Sequence, residues 1–376
     1  MLILNENWNK SKSKIKSILE NKGLDSIILT GQANIIYSTG MRDPTEILIL
    51  SNKCPDYLLT STLDYFRMLS RAPKDILLKA FYRPGEKGTE PPISKSDLIE
   101  GGLLEAIKSI SSQCGNKIGA DLIWSNYNIG KYLTEELKVI DISNDIIKIR
   151  STKDDWEVEN IIESINASEK ALRKALDSLE NHPTESQVEA TFYSSLMEQG
   201  AWGEAFPTIV GFYENTALPH YNPGKVTLER PGPVLIDFGA NMNGYLSDMT
   251  RSLWYGDGGK EYKKLIETVG EAQSEAMDVM KPGIEAWEPD SAARKIFDKQ
   301  GITRYFNHGL GHGVGVEIHE FPYLRPNSKD LLEPGMIVTV EPGIYYPGLY
   351  GVRIEDMMYI TKEKARLISR FSRILN

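Results

Sequence analysis

The sequence predicts two domains in succession: an α/β domain over residues 1–150, then an α+β domain over 151–376 in which one pattern of elements is used twice. Three observations predict this. Short apolar runs alternate with helical patterns through the first 150 residues, as in a mixed α/β sheet domain. A new helix with acidic residues in its first turns begins at the 151–155 seam. Beyond the seam, the order helix, helix, strands appears once up to residue 254 and again over 260–360. A duplicated unit of this kind brings two equivalent strand pairs together about a pseudo-twofold, with a cleft for a site built from both halves.

In the first domain, Trp8, Ile15, Ile18 and Leu19 lie at helical spacing ahead of Gly23, so a helix is expected over 8–22. Strands are expected at 26–30, 46–51, 56–61, 75–82, 117–121 and 138–143, helices at 96–112 and 126–137, and a loop at 83–92. No phosphate-binding glycine loop opens a helix here, and this half contains no histidine. Its expected part is specificity or assembly rather than chemistry. In the second domain, Trp156, Ile161, Ile162, Ile165, Ala171, Leu172 and Leu176 form one apolar face of a helix over 152–181. Thr184 and Gln187 make a capping-box pattern for a helix over 184–200. His182, just before Pro183, is expected as a surface or capping residue. Helices over 260–280 and 288–300, separated by Pro282-Gly283, repeat the arrangement.

Composition narrows the function. At 376 residues the chain can bury two cores. A net charge of −9 without a basic stripe argues against nucleic acid as the main partner. Two cysteines, Cys54 and Cys114, suit a reducing compartment and are too few for a thiolate metal site. The N-terminus lacks the basic start and apolar core of a signal peptide, and no run is long enough to span a bilayer. The expectation is a cytoplasmic protein without a membrane partner.

The chemistry concentrates in three stretches. FNHGLGHGVGVEIHEFPYL (306–324) holds three of the five histidines, His308, His312 and His319, among glycines at 309, 311, 313 and 315. Histidine is the commonest metal-ligand type, and the glycines allow close backbone approach. PGPVLIDFGANMNGYLSDMTRSLW (231–254) carries Asn243-Gly244 between alternating apolar residues, the signature of a hairpin with a type I′ turn. That register sets Met242 opposite Tyr245 and Asp237 opposite Thr250, with Asp248 diagonal to Asp237 at about 7–8 Å on the same face. A carboxylate inside VLIDFG needs a cation, since an unpaired buried charge costs several kcal/mol. PGMIVTVEPGIYYPGLYGVRIEDMMYI (334–360) adds Glu341 at a strand end and Glu355, with Arg353 on the same face as either its partner or a clamp on a substrate carboxylate. Together Asp237, Asp248, His312, Glu341 and Glu355 carry −4, which two divalent ions would neutralise. Oxygen-rich donors favour Mn²⁺ or Co²⁺, with Fe²⁺ or Zn²⁺ also compatible. Two such ions about 3.5–4 Å apart turn a shared water into hydroxide near neutral pH, which makes the reaction class metal-assisted hydrolysis. No serine nucleophile elbow, HExxH helix or paired CxxC competes.

The segments HGLGHGVGVEIHE, IDFGANMNGYLSDMTR, VEPGIYY and GVRIED resemble the signatures of the dinuclear-metal Xaa-Pro peptidases, prolidase and aminopeptidase P. Their pita-bread fold is shared with methionine aminopeptidase. The resemblance is strong over 200–360, and the length and α/β character of 1–150 suit the family's creatinase-like N-terminal domain. It implies that Asp237 is the first ligand aspartate, Asp248 the second and bridging one, and His312 the sole histidine ligand. Glu341 is then a ligand that also acts as general base, and Glu355 the last, bridging ligand. His319 is the histidine that hydrogen-bonds the substrate or tetrahedral intermediate, and His220, in ALPHY, the one that binds around the scissile bond. His308, Tyr345 and Arg353 match pocket residues that bind substrate. One departure stands out: IVGFYENTALPH carries Phe-Tyr-Glu before His220 where small residues are expected, so the approach loop and substrate choice differ.

The resemblance implies hydrolysis of Xaa-Pro bonds in proline-containing di- or oligopeptides by a metal-bridged hydroxide, and a homodimer. An Xaa-Pro bond lacks the N–H that most peptidases require, and a site that polarises the carbonyl can dispense with it. The compact chain favours the dipeptidase (prolidase). The alternatives are aminopeptidase P, acting on longer peptides, and a non-catalytic peptide- or protein-binding module on the same fold. A methionine aminopeptidase would not need the first 150 residues, and a creatinase-type hydrolase lacks the metal carboxylates.

Overall fold

The computed structural model describes residues 2–42, 44, 47–83 and 92–373, with side chains from residue 6 onward. It divides into two compact units, Met1–Ile149 and Arg150–Asn376. The first is an α/β domain. Its elements are α1 (Leu2–Lys22), β1 (Ser26–Leu29), α2 (Gln32–Thr39), β2 (Ile47–Ser51), β3 (Asp56–Ser61), α3 (Tyr65–Leu69), β4 (Ile76–Tyr82), β5 (Leu98–Glu100), α4 (Leu103–Gln113), β6 (Ile118–Ala120), α5 (Tyr127–Glu135), β7 (Ile140–Asp141) and α6 (Ser143–Ser151). The strands form one sheet in the order β5-β4-β3-β2-β1-β6-β7. β1, β2 and β3 pair antiparallel, and the outer neighbours pair parallel. Ile28, Ile49 and Leu59 of the sheet meet Ile107 and Ile110 of α4 in the core. Most of the loop expected at 83–92 falls outside the described residues.

Three expectations change here. The helix expected at 96–112 begins only at Leu103, and Leu98–Glu100 is instead strand β5, paired with β4 along the sheet edge. The run 138–143 is a two-residue strand followed at once by α6, because Ser143-Asn144-Asp145 starts a helix rather than ending a strand. Cys54 and Cys114, read from sequence as suited to a reducing compartment, are joined in a disulfide with 5.1 Å between their Cα atoms. Cys114 ends α4 within the core, and Cys54 packs against the same cluster from the turn between β2 and β3.

The second unit is the duplicated α+β fold. The first pass is α7 (Asp155–Ser178), α8 (Glu185–Glu198), β8 (Gly203–Glu204), β9 (Ile209–Phe212), β10 (Gly232–Phe238), β11 (Ala240–Met242), β12 (Tyr245–Leu246) and β13 (Met249–Tyr255). The second is α9 (Lys260–Val279), α10 (Trp287–Lys299), β14 (Gly311–Gly313), β15 (Glu320–Leu324), β16 (Ile337–Val340), β17 (Gly343–Tyr346), β18 (Tyr350–Arg353), β19 (Asp356–Ile360) and β20 (Ala365–Leu367). α7 starts later than expected, since α6 runs through Ser151; the Glu157 carboxylate accepts the Asp154 N–H at 3.0 Å at its N-terminus. The Thr184–Gln187 capping box forms, at 2.8 and 3.3 Å. Apolar residues of α9 and α10, among them Val269, Ala272 and Phe297, pack with Leu310, Val338, Val340 and Ile354.

The strand pairs place the chemistry. β10 pairs with β13 so that Asp237 faces Thr250, and β11 with β12 so that Met242 faces Tyr245. Asn243 and Gly244 both have positive φ, 55° and 86°, as the type I′ turn requires. Between the two paired stretches, a Cβ on Gly239 would lie 2.0 Å from the Ser247 carbonyl oxygen, so only glycine fits. In the second half Val340 faces Asp356 and Gly343 faces Arg353. The same register carried across the gap sets Glu341 opposite Glu355. A bridge from Thr250 to Glu355 then joins the two halves, with the Glu355 N–H on the Thr250 carbonyl at 3.1 Å.

Candidate metal centre

A cleft of about 850 Å³ opens where the halves meet. Asp237, Asp248, His312, Glu341 and Glu355 all line it, as do His220, His308, His319 and Arg353. Tyr345 is buried and hydrogen-bonds two of these residues, His308 and Arg353. One donor atom from each of Asp248, His312 and Glu355 lies within 4.8 Å of the others. His312 Nε2 is 3.5 Å from Asp248 Oδ2 and 3.4 Å from Glu341 Oε1.

Each donor is held in place by the fold. His312 Nδ1 hydrogen-bonds the Gly313 carbonyl at 3.0 Å, so Nδ1 carries the proton and Nε2 presents its lone pair to the cleft. Burial, and then the nearby His319, push its pKa down to about 3, so the ring is neutral. The Thr250 hydroxyl donates to Glu355 Oε2 at 2.8 Å and accepts from Arg353 Nε at 3.0 Å. Arg353 Nη2 donates to Asp237 Oδ2 at 2.5 Å, and Nη1 to the Tyr345 hydroxyl at 2.7 Å. Arg353 is therefore buried with all three nitrogens engaged. Its carboxylate partner is thus Asp237, where the sequence suggests Glu355.

The acids are crowded. Burial, followed by the charges of Asp237 and Glu341, pushes Asp248 well above the carboxylate range. Burial, then Asp248, Glu341 and Asp237, does the same to Glu355. Burial lifts Glu341 to about 8 against the opposing pull of Arg353. Asp237 Oδ1 and Glu355 Oε1 are buried with no hydrogen-bond partner among the described residues. Such oxygens are rare because each costs its full desolvation penalty. Buried bare carboxylate oxygens, mutually repelling acids and a neutral imidazole fit divalent cations, which would satisfy all three at once.

The wall is less uniform. His308 is half-buried, with Nε2 3.1 Å from the Tyr345 hydroxyl; burial and the Arg353 charge push its pKa down to about 4. His319 is exposed at its outer edge, its ring 4.4 Å from that of His312; partial desolvation of the ring, and then His220, lower its pKa. His220 is exposed and lines the same cleft. His182 caps the turn after α7 with φ 49° and hydrogen-bonds the Leu228 carbonyl at 2.8 Å, away from the cleft.

Several supporting residues escaped sequence reasoning. Fully buried Arg251 binds the Glu355 carbonyl at 2.6 Å and Asp356 at 2.7 Å, and reaches the Phe371 and Ser372 carbonyls near the C-terminus. Glu320 accepts from Arg150 at 2.6 Å and Lys153 at 3.0 Å, and takes the Val316 and Glu317 N–H groups, bracing the loop between His312 and His319. Arg294, paired with Asp290, holds the His308 carbonyl at 2.6 Å. Only Thr250 left a signal, as the residue facing Asp237 in the expected hairpin.

Comparison with known proteins places the molecule. Residues 159–362 match metallopeptidase family M24, and residues 12–152 match the creatinase/prolidase N-terminal domain. The chain is 32% identical, over 98% of its length and 99% of the other's, to a Pyrococcus horikoshii protein named Xaa-Pro dipeptidase. The solved structure of an Xaa-Pro dipeptidase from Bacillus anthracis superposes with a TM-score of 0.82 at 28% identity, covering 98% of this chain and all of that one (100%). An X-Pro aminopeptidase from Thermotoga maritima, at 24% identity, shares the fold with a TM-score of 0.84 over 97% of this chain and 99% of its own.

Proposed function

The chain is a metallopeptidase of family M24 with a creatinase-type N-terminal domain, and from that premise we propose that it is an Xaa-Pro dipeptidase working with two divalent ions. The observation that carries this is the convergence of Asp248, His312 and Glu355 in one cleft beside the bare buried oxygens of Asp237 and Glu355. The full-length similarity to a protein named Xaa-Pro dipeptidase supports the substrate.

Asp237, Asp248, His312, Glu341 and Glu355 hold the ions. The donor set, four carboxylates and one imidazole, favours Mn²⁺ or Co²⁺ over Fe²⁺ or Zn²⁺. When bound, the ions supply Lewis-acid polarisation of the scissile carbonyl and a water acidic enough to react near neutral pH. Glu341 stands nearest the His312 face and takes up the proton released in the attack, as a general base. His319 and His220, both exposed in the cleft, donate to the carbonyl oxygen as charge builds on it. His308, held neutral, binds substrate at the rim with Tyr345 behind it. Arg353 acts from beneath: it fixes Asp237 and the Tyr345 hydroxyl and compensates the negative charge of Asp237. Proline offers no N–H at the scissile bond, and none of these residues needs one.

The partner is a proline-containing peptide rather than nucleic acid or membrane, the working form is a homodimer, and the site of action is the cytoplasm. The Cys54–Cys114 disulfide is the one observation that stands against a strongly reducing location. The test is hydrolysis of an Xaa-Pro dipeptide against an Xaa-Pro-containing tripeptide, with chelator-stripped protein before and after Mn²⁺ or Co²⁺ is restored. Metal-restored cleavage of the dipeptide alone is expected. Cleavage of the tripeptide as well would make the protein an aminopeptidase P, and two bound ions with neither substrate cut would remove the proline reading.

A further inference from the structure

The loop that carries His220 is fastened by one buried carboxylate. Glu185, the first residue of α8, is fully buried, and its two oxygens accept four hydrogen bonds, all from residues 212–224. Oε1 takes the Phe212 N–H at 2.8 Å and Asn215 Nδ2 at 2.9 Å. Oε2 takes the Tyr221 hydroxyl at 2.8 Å and the Gly224 N–H at 3.0 Å. Asn215 Nδ2 also donates to the Tyr221 hydroxyl at 2.9 Å, closing the cluster. Among the described residues Glu185 forms no ion pair. An acid in the first turn of a helix ordinarily favours the helix dipole from the surface. This one instead points inward, onto the loop.

The loop needs such an anchor. His220 is exposed and its ring makes no hydrogen bond among the described residues, so its place in the cleft is set by the backbone on either side. Asn215 and Tyr221 flank it in sequence, and both end on Glu185. The unexpected Phe-Tyr-Glu segment belongs to the same device. Phe212 closes β9 and gives its N–H to Glu185. Tyr213 then turns the chain at φ 54°, its hydroxyl held by the Arg230 N–H at 3.1 Å. Further along toward His220, Thr216 accepts the Gly351 N–H at 2.9 Å, which ties the loop to β18.

We propose that Glu185 is a positioning residue for hydrolysis: it holds the 212–224 loop so that His220 faces the scissile bond. The inference rests on the role given to His220 above. Glu185→Gln tests it with little change of shape. Each carboxylate oxygen accepts one backbone N–H, Phe212 on one side and Gly224 on the other. An amide, turned either way, therefore sets its NH₂ against a backbone donor.

The experiment is a double-mutant cycle on the metal-loaded enzyme with E185Q, H220A and the pair, reading kcat, KM and bound metal for an Xaa-Pro dipeptide. E185Q is expected to lower kcat about 10²-fold, the scale of a displacement of order 1 Å at a reacting centre, with bound metal unchanged. In the H220A background the same substitution is expected to change kcat by less than about 2-fold, the limit of ordinary additivity. Asn215→Ala, which removes two bonds and leaves the carboxylate, is the milder variant. It is expected to give a fall of about 10-fold that also vanishes without His220. An equal loss in both backgrounds, or unchanged kcat in E185Q, overturns the proposal while the peptidase reading stands. Wild-type kcat in H220A overturns the role of His220 and this proposal with it.

Discussion

Replacing Arg353 by Met separates two views of that arginine. Methionine roughly keeps the side chain's length and removes its charge and donors. Arg353 is 3% exposed, and its guanidinium is bound to Asp237, Tyr345 and Thr250. Removing one member of a buried pair costs about 3–5 kcal/mol, because the other charge is left uncompensated. For a unit of the catalytic half's size, about 2–4 °C of Tm per kcal/mol converts this to a fall of roughly 6–20 °C. That fall belongs to chelator-stripped protein. With divalent ions present Asp237 has other cations beside it, so the fall should be smaller and the apparent metal affinity weaker. Scanning calorimetry of the stripped and Mn²⁺-loaded forms measures both, and KM for a dipeptide is read from the loaded form. A stripped-form Tm within 2 °C or so of wild type, together with a raised KM, would refute the reasoning and restore Arg353 as a clamp on the substrate carboxylate.

Two further outcomes follow from the same geometry. Asp248→Asn removes one of the three converging donors, so metal binding and hydrolysis should both be lost; unchanged activity in metal titrations and dipeptide assays would remove the site assignment. Burial alone would raise the Glu320 pKa, but Lys153 and Arg150 outweigh it and hold it at about 2, against an ordinary 4.5. A depressed carboxylate stabilises the fold fully above its unfolded pKa and loses that contribution as pH falls through the folded one. Glu320 should therefore contribute about 3 kcal/mol at neutral pH that drains away between roughly pH 4.5 and 2. Denaturant unfolding of wild type and E320Q at pH 7, 4 and 3 checks this, and a gap that does not narrow on acidification would contradict it.

Much of the catalytic half was legible because hairpin chemistry is local. Asn243-Gly244 and the alternation around it dictate one register, and the structure has it, Asp237 facing Thr250. The glycine-rich histidine segment and the two glutamates on the second strand pair were visible for the same reason, and all reach one cleft. What holds them there was not. Arg251 reads as a polar strand residue, yet it holds the Glu355 and Phe371 carbonyls, 104 and 120 residues away from it. Glu185 reads as an acid favouring a helix start, and nothing nearby in sequence shows that its oxygens face residues 212–224. Such partners are set by how elements pack, and local periodicity carries no record of that. The same holds for Cys54 and Cys114, 60 residues apart and joined only because α4 returns across the sheet. The run 138–143 failed for a different reason: so short an apolar run suits a strand or a helix equally.

The central claim is that five side chains, two from one half of the duplicated fold and three from the other, hold a pair of divalent ions. A crystal structure of the Mn²⁺-loaded protein, with anomalous data collected at the manganese edge, tests it directly. The account predicts two anomalous peaks about 3.5–4 Å apart, contacted by Asp237, Asp248, His312, Glu341 and Glu355. A single peak, or peaks bound by residues outside that set, would contradict it.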